Sequence, residues 1–423
     1  MADRLDTMTI YDSIIPTRTV DILRIGHKGD GETAEGIYVP FTVPDEKVMV
    51  TGEGDRANIV QIIEPGPTRA KPVCEHFVIC GGCALQHVET AAYHEWKRDQ
   101  VVQALSQRGI TGIDVAPLVA FPPRTRRRAV FTARLVNGDV MVGFQERGTH
   151  FIVDMAECHV VHPDLFALVP RLREALADVL PEQARAEVDV MRADNGIDLV
   201  LGVGRMTLDG ALRTKFADIA AKLGIIRLTV NGELVAQSQV PVLEWAGAKV
   251  TPPPGAFLQA VPEAEAALQT LVTEAVGNAK RVADLFAGCG AFTFPLAKKS
   301  AVAAYDSETA SIEALSTAAR NAKGLKPITA ERRDLFRRPL LKHELDTFDA
   351  VVIDPPRAGA KVQTEQLATS KVGTIAAVSC SPTTFARDAR TLIDGGYNLK
   401  SVTPIDQFLW SPHIELVAIF ERS

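Results

Sequence analysis

Four apolar segments in the last third of the chain, RVADLF, AVAAYD, FDAVVID and TIAAVSC, alternate with stretches of helical spacing. This alternation limits the fold more than any other feature. Strands that are apolar throughout need cover on both faces, so the four are predicted to form a buried parallel sheet with helices on each side. Leu268, Leu271, Val272 and Ala275 mark one such helix, and Gly277-Asn278 can end it. Ligands of such sheets bind beyond the carboxyl ends of the strands, which directs attention to the polar residues where the apolar runs stop.

The remainder must fold separately, because 423 residues exceed the roughly 250–300 that one core supports. TVDILRI, GIYVPF, KVMVTG and NIVQIIE are short β-type runs broken by Gly- and Asp-rich turns, the pattern of a small barrel or sandwich. PGPTRAKP at residues 65–72 reads as a linker and TPPPG at residues 251–255 as a second boundary, since proline interrupts regular structure. The predicted organisation is multidomain α/β. It has a lead-in at 1–17, a small β-barrel at 18–66, a central α+β domain at 67–254 with a helix near Tyr93 to Arg108, and the parallel-sheet domain at 255–423.

No apolar stretch reaches the roughly 18 residues of a membrane helix, and Asp3, Arg4, Asp6, Asp12 and Arg18 leave no apolar middle for a signal peptide. The expectation is a cytoplasmic monomer without membrane contact. The formal net charge of −6 conceals a net-positive stretch at residues 66–150, with 11 basic and 7 acidic side chains, which suits local phosphate contact.

In VADLFAGCGAF a strand ends near Asp284, Gly288 and Gly290 form a turn, and a helix begins around Phe292. Such glycines admit a ligand close to the backbone, and the helix start favours polar or anionic groups. The next strand ends in Asp306, 22 residues after Asp284, where a carboxylate accepts hydrogen bonds from ribose hydroxyls. Together they describe a nucleoside-cofactor site, with a ligand-free tight turn as the alternative. In VVIDPPRAG, Asp354 sits just past a strand, and Pro355-Pro356 stiffens the loop that carries it and Arg357; a structural turn is the alternative. In VSCSPTTFARD, Cys380 lies where a strand gives way to a helix, with Ser381 as N-cap and Pro382 at the first helical position. That placement lowers a thiol's pKa, although a buried inert cysteine is the commoner case. In SPHIELVAIF, Glu415 interrupts an apolar run two residues after His413, so both can share one strand face, and general base is one option for the carboxylate.

Two features lie further upstream. Cys74, Cys80 and Cys83 fall within ten residues, and Cys158 is the only other cysteine before residue 280, a set that predicts a four-thiolate site for zinc or an iron–sulfur cluster. Arg124, Arg126, Arg127, Arg128 and Arg134 fall within eleven residues without an acid between them. They are candidates for phosphate contact, with a merely solvated face as the alternative.

These motifs together resemble the RNA 5-methyluridine (uracil-C5) methyltransferase family, in particular its iron–sulfur branch acting on 23S ribosomal RNA. The resemblance runs from about residue 18 to the end. It implies a TRAM domain, an OB-like RNA-binding barrel, over residues 18–64, and a 4Fe–4S cluster on Cys74, Cys80, Cys83 and Cys158, with zinc as the alternative. It also implies a Rossmann-like S-adenosylmethionine-dependent methyltransferase domain from about residue 255. By this resemblance Gln259, Phe286, Asp306 and Asp354 occupy cofactor-binding positions and Asp334 lies beside the adenine. Cys380 matches the nucleophile, Glu415 the base, and Asp354 a group that orients the uracil. The implied reaction is methylation of uridine C5 in ribosomal RNA through a covalent adduct between Cys380 and uracil C6. Transfer RNA as substrate, methylation of an exocyclic base amine, and a non-catalytic iron–sulfur RNA-binding protein are the alternatives. The chain departs from the family at Ala291 and Ser381, where asparagine is usual, and in the acidity of its barrel segment, which shifts RNA contact toward Arg124–Arg134.

Overall fold

The computed structural model describes residues 17–422. The predicted lead-in, apart from Thr17, lies outside them. The four apolar runs become the parallel strands Arg281–Leu285, Ala301–Asp306, Ala350–Ile353 and Thr374–Ser379. They belong to an eight-stranded sheet. From Ile328–Arg332 at one edge it runs through Ala301–Asp306, Arg281–Leu285, Ala350–Ile353 and Thr374–Ser379 to Glu415–Arg422, Tyr397–Asp406 and Val119–Ala120. The chain builds outward from Arg281–Leu285 to one edge, then returns to its other side at Ala350–Ile353. A topological switch point therefore falls between those two strands. Glu415–Arg422 runs antiparallel to both its neighbours, which brings its first residue to the carboxyl edge of the parallel strands.

Alternation along the strands sorts their side chains between two cores. Val282, Ala350, Val352, Ala376 and Val378 meet Ala264, Leu268 and Val272 of the helix Pro262–Val276. Ala283, Leu285, Val351, Ile353 and Ile375 meet the helices Thr90–Ser106 and Pro382–Asp394 on the other face. Both Pro262 and Pro382 stand at helix starts, where the missing N–H costs nothing, and Gly277 ends the first helix with φ 59°.

Upstream, a six-stranded sheet runs in the order Glu233–Gln237, Ile225–Val230, Gly196–Gly202, Arg185–Ala193, Arg128–Val136, Asp139–Gly143. The helices Leu168–Leu176 and Gly210–Leu223 pack on its core of Phe131, Val188, Leu199 and Phe216. Residues 17–64 form two separate three-stranded sheets over Val20, Ile22, Val39, Val48 and Val50, joined by the isolated bridge Tyr38–Arg56. This corrects the predicted barrel: three of these strands have two residues each, too few to carry a ladder around a closed ring, and no closed barrel forms among the described residues.

Arg127 links the six-stranded sheet to the helix Pro262–Val276. Its guanidinium donates to Glu265 at 2.6 Å and to the Gln259 carbonyl at 3.1 Å, and the Trp245 indole donates to the other Glu265 oxygen at 2.7 Å. All three side chains are buried. Glu265→Ala is expected to lower stability by about 3–5 kcal/mol, because it strands a buried guanidinium. Denaturant titration checks this, and a loss below about 1 kcal/mol would show that the pair contributes little.

Candidate active site

Strand register brings the predicted residues together. Ser379 pairs with Leu416, and Ile353 with Ala377, so Cys380, Glu415 and Asp354 emerge beside one another at the carboxyl edge. Glu415 opens its strand, whereas His413 lies in the loop before it, so the two do not share a strand face as the sequence suggested. Two buried glutamines connect the carboxyls. Gln407 Nε2 donates to Glu415 Oε2 at 2.9 Å and to Gln259 Oε1 at 2.6 Å, and Gln259 Nε2 donates to Asp354 Oδ2 at 3.2 Å. The Ala260 N–H fixes the orientation of Gln407 through its Oε1 at 2.7 Å.

The electrostatics follow from this enclosure. Burial, then the charge of Asp284, pushes the Asp354 carboxyl up to about 7. Burial and the Asp354 charge hold Glu415 well above the usual carboxylate range, opposed by the Gln407 hydrogen bond. Cys380 is half-buried; burial and the two carboxyls raise its thiol to about 11, with Arg357 pulling the other way. The Ser381 hydroxyl caps the helix that follows by accepting from the Thr384 N–H at 3.5 Å. The site thus sets a raised thiol beside a raised carboxyl, residue types that suit nucleophilic and general-base chemistry once each has lost its proton.

The loop preceding Glu415 is anchored from the helix Thr90–Ser106. Lys97 is fully buried and donates to Asp406 Oδ1 at 2.9 Å, to the Phe408 carbonyl at 3.4 Å and to the His413 carbonyl. Tyr93 donates to Asp406 Oδ2 at 2.5 Å and accepts from the Trp410 N–H at 2.8 Å.

Across the switch point, Asp284 is fully buried. Its Oδ2 accepts from the Thr293 hydroxyl at 2.5 Å, its Oδ1 has no partner, and burial raises it to about 7. Asp306 accepts from the Gly288 and Glu308 N–H groups at 2.9 and 2.8 Å. Gly288 has φ 53° and open space where a Cβ would stand, whereas a Cβ on Gly290 would meet Phe294 at 2.7 Å, a packing constraint. The helix expected to follow is the single turn Thr293–Leu296. Phe286, at φ 63°, sets its ring 5.4 Å from that of Phe336, whose N–H donates to Asp334 at 3.0 Å. Ala291 presents only a methyl group, and its carbonyl accepts from Gln269 at 2.8 Å.

The four upstream cysteines do not form the predicted metal centre. They line one cavity of about 560 Å³, but among the described residues no group of three or more Cys, His, Asp or Glu side chains is arranged to hold a metal ion. The sulfurs of Cys80 and Cys158 accept instead from the Gly82 and Val161 N–H groups of their own loops. Burial raises Cys80, and takes Cys74 to about 11 and Cys83 to about 12. The 4Fe–4S cluster, its zinc alternative and the four-cysteine site in the central domain are withdrawn.

The arginine run is divided by the strand it enters. Arg127 turns inward to Glu265, Arg128 makes a bidentate pair with Asp189 at 3.0 and 2.6 Å, and Arg134 donates to Gln183 at 2.8 Å. Half-buried Arg126 lines the cysteine cavity, and Arg124 is exposed with φ 65°. Gln407, Lys97 and Asp406 were not singled out from the sequence. A signal existed for Lys97, which shares the helix face of Tyr93 and Val101 by four-residue spacing and therefore needed a buried partner.

The sheet is doubly wound, with an antiparallel strand inserted near one edge and polar groups gathered at its switch point. The solved tRNA (uracil-54, C5)-methyltransferase of Pyrococcus abyssi, in complex with S-adenosyl-L-homocysteine, superposes with a TM-score of 0.75 at 22% identity, covering 95% of this chain and 100% of that one. The family model tRNA (Uracil-5-)-methyltransferase matches residues 251–423. A Brucella suis protein described as an uncharacterized RNA methyltransferase is 45% identical over 410 residues, covering 96% of this chain and 98% of the relative. The 23S rRNA (uracil(1939)-C(5))-methyltransferase of Halomonas elongata is 31% identical over 433 residues, covering 93% and 86%. The chain belongs to the S-adenosylmethionine-dependent RNA uracil-C5 methyltransferase family. Among the described residues no helix is long and apolar enough to cross a membrane.

Proposed function

We propose that this enzyme methylates C5 of a uridine in structured RNA, with Cys380 as nucleophile and Glu415 as base. The observation that carries this reading is the placement of a half-exposed thiol beside the raised carboxyls of Glu415 and Asp354. The donor's site is supported by the unpartnered Asp284 Oδ1, a buried acceptor for an amino group. Asp306, fixed by two N–H groups, suits ribose hydroxyls; the Phe286–Phe336 pair and Asp334 suit an adenine; Gln259 and Asp354 close the side toward Cys380. S-adenosylmethionine supplies an electrophilic methyl group on a sulfonium.

Uracil C5 is a weak carbon nucleophile. The Cys380 thiol gives up its proton to the solvent of the cavity beside it and bonds to C6, moving the C5=C6 electrons to C5 and O4. C5, with Asp354 orienting the ring, then bonds to the methyl carbon as the methyl–sulfonium bond breaks, its electron pair leaving with the neutral thioether. Glu415 takes the C5 proton, the C6–S bond breaks and the C5=C6 bond is restored. Reaching Cys380 requires the uridine to leave its stack, which favours loops or opened helices.

The resemblance points to ribosomal RNA only through its iron–sulfur branch, and that ground is removed. Transfer RNA therefore stands beside ribosomal RNA, as the substrates of the Pyrococcus and Halomonas enzymes also do. Nucleoside analysis of ribosomal and transfer RNA transcripts after incubation tests the reading; 5-methyluridine in one of them supports it, and an N-methylated base instead would overturn it.

Both reacting groups must lose a proton first, and both sit above their ordinary values. Well below about 11 the ionised fraction of the Cys380 thiol grows about tenfold per pH unit, so the single-turnover rate at saturating RNA and donor is expected to climb about tenfold per pH unit between pH 7 and 9. A flat profile would mean that thiol and carboxyl are already ionised at pH 7.

A further inference from the structure

A second cavity, of about 430 Å³, opens directly on Cys380, and one wall of it comes from parts of the chain that the reaction does not use. Its floor is Cys380 with Ser381 and Arg357. The facing wall is the helix Thr90–Ser106 and the residue that caps it, which present Gln100, Gln103 and Gln107. Spacings of three and four place these glutamines along one helix face. The roof is the N-terminal sheet segment, with His27 and Tyr38.

The arrangement is held firmly. Val101, Ala104 and Leu105 of the helix share a core with Phe385, Ala386 and Ala389 of the helix that follows Cys380. The Trp96 indole donates to the Ile25 carbonyl at 3.1 Å, fixing the turn that carries His27. Gln103, Gln107 and His27 are exposed, Gln100 and Tyr38 are half-buried, and no hydrogen bond is recorded for any of these side chains. Arg24 at the rim is by contrast engaged with Glu32 at 2.9 Å.

Three unengaged amides in a row, each offering a donor and an acceptor, match the edge of a nucleobase as few other ligands do. An aromatic ring beside them gives a base a stacking face. Among the described residues Arg357 carries no ion pair, and it lines this space together with the thiol, placed for a phosphate oxygen. The volume lies within the roughly 300–1,000 Å³ of ordinary ligand sites.

We propose that this cavity binds the unstacked nucleotide next to the target uridine, and that Gln100, Gln103 and Gln107 read its base and so set sequence specificity. The proposal rests on the uridine reading above. Its test uses the full-length protein and whichever full-length ribosomal or transfer RNA transcript the wild type methylates. That transcript is prepared with each of the four nucleotides at each position flanking the methylated uridine.

The wild type is expected to discriminate among the four at one flanking position by about tenfold or more in kcat/KM. The double variant Gln103→Ala/Gln107→Ala should reduce that spread to less than about threefold there, leaving the spread at the other position intact. Ser106→Ala, on the same helix but outside the cavity, should keep the wild-type pattern. Donor binding by calorimetry confirms that the double variant is folded. No flanking preference in the wild type, or an unchanged preference in the double variant, overturns the nucleotide subsite. Failure of the wild type to methylate any transcript overturns the uridine reading itself, which is a distinguishable result.

Discussion

Replacing Cys380 by alanine is expected to abolish turnover, with a loss of at least about a thousandfold, and to abolish covalent capture of RNA. The reason lies in the substrate as much as in the protein: without sulfur at C6, uracil C5 has no electron density with which to take a methyl group. The fold should be unaffected, since Cys380 is half-buried and packs at the edge of the sheet rather than in its core. Donor binding, proposed to draw on Asp284, Asp306 and the Phe286–Phe336 pair, should persist in calorimetry. Methylation by the alanine variant within about tenfold of wild type would remove the thiol from the mechanism and favour a base-amine reaction.

Glu415→Gln is expected to behave differently. Turnover should fall by about 10²–10⁴-fold, the usual range for removing a general base. The steps before proton removal should survive, because glutamine is nearly isosteric and its side-chain oxygen can still accept from Gln407. The C6–S bond cannot break until the C5 proton has left. A methylated protein–RNA adduct that survives denaturing electrophoresis should therefore accumulate. Loss of turnover without an adduct would mean that Glu415 acts before sulfur addition, for instance by taking the thiol proton.

How much of this was legible in the sequence depended on whether local pattern or distant contact decided the outcome. Asp284, Asp306, Asp354 and Cys380 all end apolar runs, and the parallel sheet carries such ends to one edge. Glu415 was legible as a carboxyl inside an apolar run. Gln407 was not, because its partners Gln259 and Ala260 lie 148 and 147 positions away. The Lys97–Asp406 pair spans 309 positions, so the helix spacing of Lys97 shows that it needs a buried partner but not which residue supplies it. In the arginine run, Arg127 turns inward and pairs with Glu265, a side-chain direction that is invisible in a charge count. The cysteines differ from their spacing in another way: the sulfurs of Cys80 and Cys158 accept from amides of their own loops, a contact that a spacing does not show.

The central claim is that the reaction occurs at uridine C5, and the most direct measurement is release of tritium from that carbon. Ribosomal and transfer RNA transcripts labelled at uridine C5 are incubated separately with the full-length enzyme and S-adenosylmethionine. Donor-dependent release matched to methyl incorporation, from one of the two RNAs, is the expected result and identifies the substrate class as well. Methyl incorporation with the tritium retained would contradict the C5 chemistry and the roles assigned to Cys380 and Glu415.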